Sequence, residues 1–260
     1  MRIASVGHAV FAVIMIGLGT VGLLHPDFVP VWNPAPKVPG ALQIVSLGAL
    51  VSVISGIGLF IRPVAAAAAR LLLATFLLWL VLLRLPNFCR APVFEACWSV
   101  FPLAVMLAAA WALYVLLATD WDSNHLTFMS GTNGLRIARA LYGFSLCFLG
   151  VAHFVDMQDT LSLIPSWLPA HLFWAYFTGC TFVAAGVATL AGVYARLAAA
   201  LSAGQISLFL FLVWIPIVSH GSKDQFQWSE TILNAALGAA AFVVADSYRD
   251  TPWLAIHNKS

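Results

Sequence analysis

Hydrophobic positions along this chain come in long unbroken runs, without the alternation of half-buried strands or the one-sided rhythm of surface helices. Eight runs stand out: Ser5 to Leu24, Gly40 to Ile61, Val64 to Leu85, Trp98 to Ala118, Ile137 to Val155, Pro169 to Ala191, Tyr194 to Ile215 and Trp228 to Ala245. A helix needs roughly 20 apolar residues to cross about 30 Å of hydrocarbon. Strands of a membrane barrel would be shorter and would alternate apolar with polar residues. The pattern therefore predicts an all-α membrane protein with eight transmembrane helices. Between the runs lie Pro34, Pro36 and Pro39 with Gly40, then Pro86, Pro92, Pro165, Pro169, Pro216 and Gly221, which are turn and breaker residues. The first run begins after Arg2 but shows no small-residue cleavage pattern before Pro26, and it is longer than a signal-peptide core. It is expected to stay as a span.

The halves of the chain resemble each other at a shift of about 130 positions. Pro39 and Gly56 fall on Pro169 and Gly186, and Ala68, Ala69 and Leu71 fall on Ala198, Ala199 and Leu201. Leu80, Leu82 and Pro86 match Leu210, Leu212 and Pro216, and Trp98-Ser99 matches Trp228-Ser229. In the first span a shift of 128 pairs Gly22 with Gly150 and His25 with His153. An even number of spans per copy gives both copies the same orientation, which predicts a pseudo-two-fold axis along the membrane normal. The expected organisation is a four-helix repeat over 1–118, a linker over 119–134, a second four-helix repeat over 135–247 and a tail over 248–260.

Composition sharpens this picture. The 260 residues are 62% hydrophobic and 8% charged, against about 25% charged in an ordinary soluble domain, which excludes a disordered chain and a disulfide-packed secreted domain. Twelve basic and ten acidic residues leave a net charge of +2, too little to bind nucleic acid. The distribution of charge says more than its sum. Arg2, Arg62, Arg70, Arg136, Arg139, Arg196, Arg249 and Lys259 flank the spans on the N-terminal side, against Lys37, Arg84, Arg90 and Lys223 on the other. The positive-inside rule then places both termini in the cytoplasm of a bacterial-type cytoplasmic membrane.

The second half reads Gly150-Val-Ala-His153, Ile164-Pro-Ser-Trp-Leu-Pro-Ala170, Tyr176-Phe-Thr-Gly-Cys180 and Gly192-Val-Tyr-Ala-Arg-Leu-Ala-Ala199. That order resembles the DoxX-like membrane proteins. The first half looks like a more divergent copy, with Leu24-His25-Pro26-Asp27, Val38-Pro-Gly40, Gly56-Ile-Gly58 and Arg62-Pro-Val-Ala65. The resemblance implies a tandem pair of the family's four-helix unit and a subunit or accessory of a quinone-linked membrane redox system. Many members carry a Glu in the second helix; here Ser46-Leu-Gly-Ala-Leu50 and Thr178-Gly-Cys-Thr181 hold no carboxylate, so no proton-carrying role transfers through that residue.

Candidate chemistry gathers on the predicted outer side. His25, His153, His171 and His220 lie there with Asp27, Asp156, Asp159, Asp224 and Glu230. Imidazoles near carboxylates suit proton transfer or a quinone carbonyl, although helix-end histidines also serve simply to bond loop carbonyls. His25 and His153, paired by the repeat, are the sharpest candidates for cofactor binding. Thr75 and Gln205 join them as matched polar residues in the third helix of each repeat, where they would bond across the bundle or line a cavity. No His-x-x-x-His spacing marks a metal site on a span. Cys89 and Cys97 flank one outer loop; a structural disulfide is the favoured expectation there, with free thiols or a redox pair as alternatives. Arg70, about six residues into its span, is expected to snorkel to the near surface. Phe144, Phe148, Phe173, Trp174, Tyr176 and Phe177 would wall a quinone or lipid cavity or pack as core. Besides the redox subunit, a scaffold, assembly factor or lipid-binding protein stays open, and so does a small-solute transporter. The lipid bilayer is the expected partner, with a membrane protein complex beyond it.

Overall fold

A computed structural model describes residues 5–26, 31 and 40–256. Asp27, Trp32, Lys37 and the prolines at 34, 36 and 39 lie outside the described residues, as do Arg2 and Lys259. The protein is 82% helical, and no strand occurs among the described residues. Eight helical segments of 19 to 25 residues are long and apolar enough to cross a membrane. They are α1 (Val6–Leu24), α2 (Ala41–Phe60), α3 (Ala65–Trp79) with its continuation to Cys89, α4 (Val93–Leu117), α6 (Gly131–Val155), α8 (His171–Ala191), α9 (Ala195–Phe209) with its continuation to Ser219, and α11 (Gln225–Asp246). Three short helices complete the set: α5 (Asp120–His125), α7 (Met157–Leu163) and α10 (Ile215–Ser219), the last closing the seventh span.

Most spans reach further than the hydropathy runs because polar residues occupy their ends. α6 begins at Gly131 rather than Ile137, taking in Thr132, Asn133 and Arg136, and α4 begins at Val93, ahead of Glu95. Only the remainder of the expected linker is left between spans, and it is built rather than loose. Thr119 and Asp122 cap α5 reciprocally, the side chain of each accepting from the backbone N–H of the other. The tail is likewise tied down as far as Ile256: the Tyr194 N–H donates to the Ala255 carbonyl, and the Arg196 guanidinium donates to Thr251 O and lies 4.1 Å from the Trp253 ring.

α3 and α9 depart from regular geometry at one place each. Both turn π-helical, over Leu80–Arg84 and over Leu210–Trp214, and a proline follows two residues later in each, at Pro86 and Pro216. These interruptions are invisible in the sequence because every residue in them except Arg84 is an ordinary apolar helix former. A π turn carries one residue more than the α turn it replaces and is common at functional sites.

The helices pack as a ring about a central pair. α4 and α11 touch each other and are the most buried spans. α1 packs on α2, α2 on α3 and α3 on α4; α6 packs on α8, α8 on α9 and α9 on α11; α4 meets α6, and α11 meets α1. The tightest pairs rest on glycine. A methyl group built on Gly56 would lie 2.8 Å from the Ala12 carbonyl oxygen, and one on Gly19 would strike Ala49. Between α6 and α8, methyls on Gly150 and Gly186 would lie 2.6 Å from the carbonyl oxygens of Gly179 and Gly143. Small residues let membrane helices approach backbone to backbone, where dispersion and weak polar contacts replace the missing hydrophobic drive.

At the end of the bundle that carries residue 5, an ion pair joins a span to the connection. Arg70 Nε and Nη2 donate to the two carboxylate oxygens of Asp122 at 2.7 and 2.8 Å, Nη2 also reaches Thr119 Oγ1, and the guanidinium lies 5.2 Å from the Trp121 ring. Arg70 is thus held by a bidentate partner instead of reaching freely for the surface. The Asp122 side chain is fully enclosed, and this guanidinium, with the Thr119 N–H and hydroxyl, holds its carboxyl far below the usual range.

Candidate functional site

A cavity of about 1520 Å³ opens between the helices of the second half and α4, with Val31, Arg84, Asn87 and Ala91 also on its wall. Its walls come from the facing sides of α4, α6, α8, α9 and α11, with α7 and residues 163–168 at one end. It extends from Tyr194, near the end of the bundle that carries residue 5, to Glu95, Asp156 and Asp159 at the opposite end. Leu201 and Leu208 line it while being 63% and 56% exposed, so the cavity also communicates with the apolar flank of the molecule along α9. Tyr194 adopts a left-handed backbone with φ of 51°, an uncommon conformation for a residue with a side chain. Its N–H bond to Ala255 anchors that turn.

Most of the wall is aliphatic and aromatic, including Trp174, Phe177, Phe182, Phe209 and Trp214. Polar groups are few, and they sit in two states. The first group bonds within the protein. Gln205 on α9 accepts from Thr181 Oγ1 at 2.7 Å and donates to the Thr178 carbonyl at 3.0 Å, bridging α9 to α8. Ser202 Oγ meets Tyr142 OH at 2.9 Å. Arg84, 2% exposed, donates from Nη2 to Val31 O at 2.8 Å.

The second group has capacity to spare. His153 on α6 points Nδ1 at the Leu149 carbonyl, 2.7 Å away, with its ring against Phe182 and Phe209. A carbonyl only accepts, so Nδ1 carries the proton and the neutral ring keeps Nε2 as an acceptor. On α11, Glu230 and Asn234 are one turn apart and both line the cavity. Asn234 Oδ1 is buried without a partner among the described residues, and Glu230 makes no hydrogen bond or ion pair to any described residue.

The candidates named from the sequence separate on this geometry in a simple way: His153 and Gln205 line the cavity, while His25 and Thr75 do not. His25 caps the C-terminus of α1 and is exposed, its N–H donating to Val21 O. Thr75 turns its hydroxyl back to Leu71 O on its own helix, 2.7 Å away, with no bond across the bundle among the described residues. Cys89 and Cys97 are free thiols in this structure. Of the aromatic set, Trp174 and Phe177 line the cavity. Phe148 instead stacks on Phe101 at 4.7 Å, and Phe144, Phe173 and Tyr176 are exposed on the apolar flank. Among the described residues no three His, Cys, Asp or Glu side chains come together as metal ligands. Asn234 was missed by sequence reasoning; the signal was an Asn four residues after Glu230 in an otherwise apolar helix, a spacing that puts both on one face.

Comparison with protein-family models, with curated proteins and with solved structures finds no match for this chain.

Proposed function

We propose that this chain is an integral membrane protein that binds a membrane-dissolved amphiphile in the cavity between the helices of its second half and α4. The observation that carries the reading is the cavity itself: aliphatic and aromatic over most of its wall, continuous with the lipid-facing flank, and furnished at depth with a few hydrogen-bonding groups. Pockets of this composition bind through apolar contact and orient through a small number of polar groups. A volume of about 1520 Å³ exceeds the roughly 300–1,000 Å³ of common small-molecule sites and suits a head group with an attached chain.

The quinone-linked redox role rests on the resemblance to DoxX-like proteins. A quinone head presents two carbonyl acceptors and no charge. It could accept from the Asn234 amide nitrogen or the Trp174 and Trp214 indoles on the wall, but it would bring no countercharge to a Glu230 carboxylate.

The tandem architecture is part of the same proposal. The contacts of α1, α2, α3 and α4 have counterparts in those of α6, α8, α9 and α11, and both π turns fall at the same place in the third helix of each set. These parallels support two copies related about an axis between α4 and α11. They also revise the alignment of the first helix. Gly19 packs on Ala49 and Val53 as Gly150 packs on Gly179 and Val183; the offset is 131 in the first helix and 130 in the second. His25 then corresponds to Asp156, and each caps its helix, while His153 corresponds to Gly22. Four of the cavity's polar residues have apolar or glycine counterparts in the first copy: Thr178, Thr181, Glu230 and Asn234 stand where it has Gly48, Val51, Val100 and Ala104, while Gln205 answers to Thr75.

Native mass spectrometry of protein released from lipid nanodiscs tests the reading. A retained amphiphile that is lost when Gly204→Trp and Ala185→Phe fill the cavity is the expected result. Retention unchanged in both variants, or no binding of any single-chain amphiphile added in excess, would overturn it.

A further inference from the structure

The unsatisfied groups in the cavity specify the head of its ligand. We infer that the site selects a cationic amphiphile, a protonated lipophilic amine, through Glu230 with Asn234 one turn away on α11. This rests on the amphiphile-binding reading above and names the ligand class.

Two acceptors one turn apart on α11 lack a donor among the described residues: the Glu230 carboxylate and the Asn234 amide oxygen. An ammonium group has three N–H donors and no acceptor. The uncharged donors on the same wall, the Asn234 amide nitrogen and the indoles of Trp174 and Trp214, add no countercharge. Charge adds to hydrogen-bond count. A carboxylate at an apolar cavity wall is costly unless a cation, strong donors or a bound proton accompanies it, and no cationic side chain among the described residues pairs with Glu230. Arg84, the one Lys or Arg among the described residues of the wall, points a guanidinium nitrogen at Val31 O. Against it stand four carboxylates, Glu95, Asp156, Asp159 and Glu230. Of these, Asp156 accepts from the Trp98 indole at 3.2 Å. The end of the cavity that carries Asp156 and Asp159 is therefore acidic and draws cations inward. Trp174, Trp214 and Phe226 supply ring faces, which attract ammonium groups in addition to burying the alkyl chain.

Two observations set Glu230 apart from a helix-capping carboxylate or a position that needs a charge for packing. It caps no helix, since Asp224 fills that place for α11 with its side chain accepting from the Phe226 N–H. It stands where the first copy has Val100, a residue 7% exposed in the packed core, so the helix position itself requires no charge.

The test titrates the intact chain in nanodiscs of uncharged phosphatidylcholine with decylamine, decanol and a decyl-substituted benzoquinone. Emission of the cavity tryptophans is the readout, and empty nanodiscs give the partition correction. Decylamine is expected to bind about tenfold or more tightly than decanol, the size of effect a single desolvated charge pair confers. Glu230→Gln should abolish that preference without weakening decanol. Glu230→Asp, which keeps the charge, should retain most of it and guards against a folding defect in the amide variant. Equal affinity for amine and alcohol in the unaltered protein, or a preference that survives Glu230→Gln, overturns the inference. So does a quinone that displaces decylamine. Binding of decanol with no amine preference would leave the amphiphile reading standing while removing this one; binding of none of the three would remove both.

Discussion

A single added methyl group is enough to test how the second half is held together. Gly150 and Gly186 place α6 and α8 in backbone contact, and a Cβ at either would lie 2.6 Å from a carbonyl oxygen of the facing helix. Neither atom is the far end of a flexible side chain, so the helices must separate. Gly150→Ala should lower the melting temperature of the solubilised protein, with a cost of about 1–3 kcal/mol for overpacking. The same change at Gly204, where a Cβ meets open space, should leave stability nearly unaltered. That contrast separates close approach from the general helix preference of alanine, which acts at both sites alike. At this scale the sequence is legible only in part. Gly56 and Gly186 stand out in it as matched glycines, but which backbone each approaches depends on a helix pairing that the letters do not carry. Glu230 was legible as a carboxylate near a helix end. Its lack of a partner is a property of the helices facing it.

At the scale of elements, the Arg70–Asp122 pair ties the third span to the connection between the halves. Its contribution follows the state of Asp122. The carboxyl is held far below its ordinary value by the guanidinium and the Thr119 donors, so folding favours the ionised form. Stability from this source is complete above the unfolded value of about 4 and is lost as pH falls through the folded one. Thermal unfolding between pH 7 and pH 3 should therefore fall more steeply in the unaltered protein than in Asp122→Asn. At pH 7 that variant should be destabilised by about 2 kcal/mol, the scale of hydrogen bonds to a charged group. A pH profile identical in the two proteins would show that α5 is held by its capping turn alone. The spans themselves are legible from hydropathy but with their ends misplaced, because the chain uses polar residues such as Thr132 and Asn133 to finish helices. The π turns escape that reading since nothing in Leu80–Leu83 or Leu210–Trp214 departs from helix-forming composition.

Over the whole molecule, charge and topology combine into one expectation. Helix direction puts Arg62, Arg70, Arg136, Arg139, Arg196 and Arg249 at the end that carries residue 5, and Arg84, Arg90 and Lys223 at the other. If the basic end is cytoplasmic, as the positive-inside rule expects, exposed Cys89 would face outward. A membrane-impermeant maleimide should label intact cells at Cys89 and lose that labelling in Cys89→Ser; labelling only after the membrane is opened would invert the topology. The bundle as a set of eight spans is legible because lipid selects composition over long stretches. The cavity is not, because the residues that wall it and those that face lipid are drawn from the same aliphatic and aromatic set.

The two π turns also carry a record of order. Each arises most simply when one residue is inserted into a helix whose ends are already fixed by packing. If the halves are copies, two insertions at the same turn need only one event, placed before the copying. On the same premise, the polar residues Thr178, Thr181, Glu230 and Asn234, which have no polar counterpart in the first half, would have diverged afterwards. Deleting one residue from Leu210–Val213 would then return the seventh span to its ancestral winding and swing Trp214 by about 100° about the helix axis, off the wall it now completes.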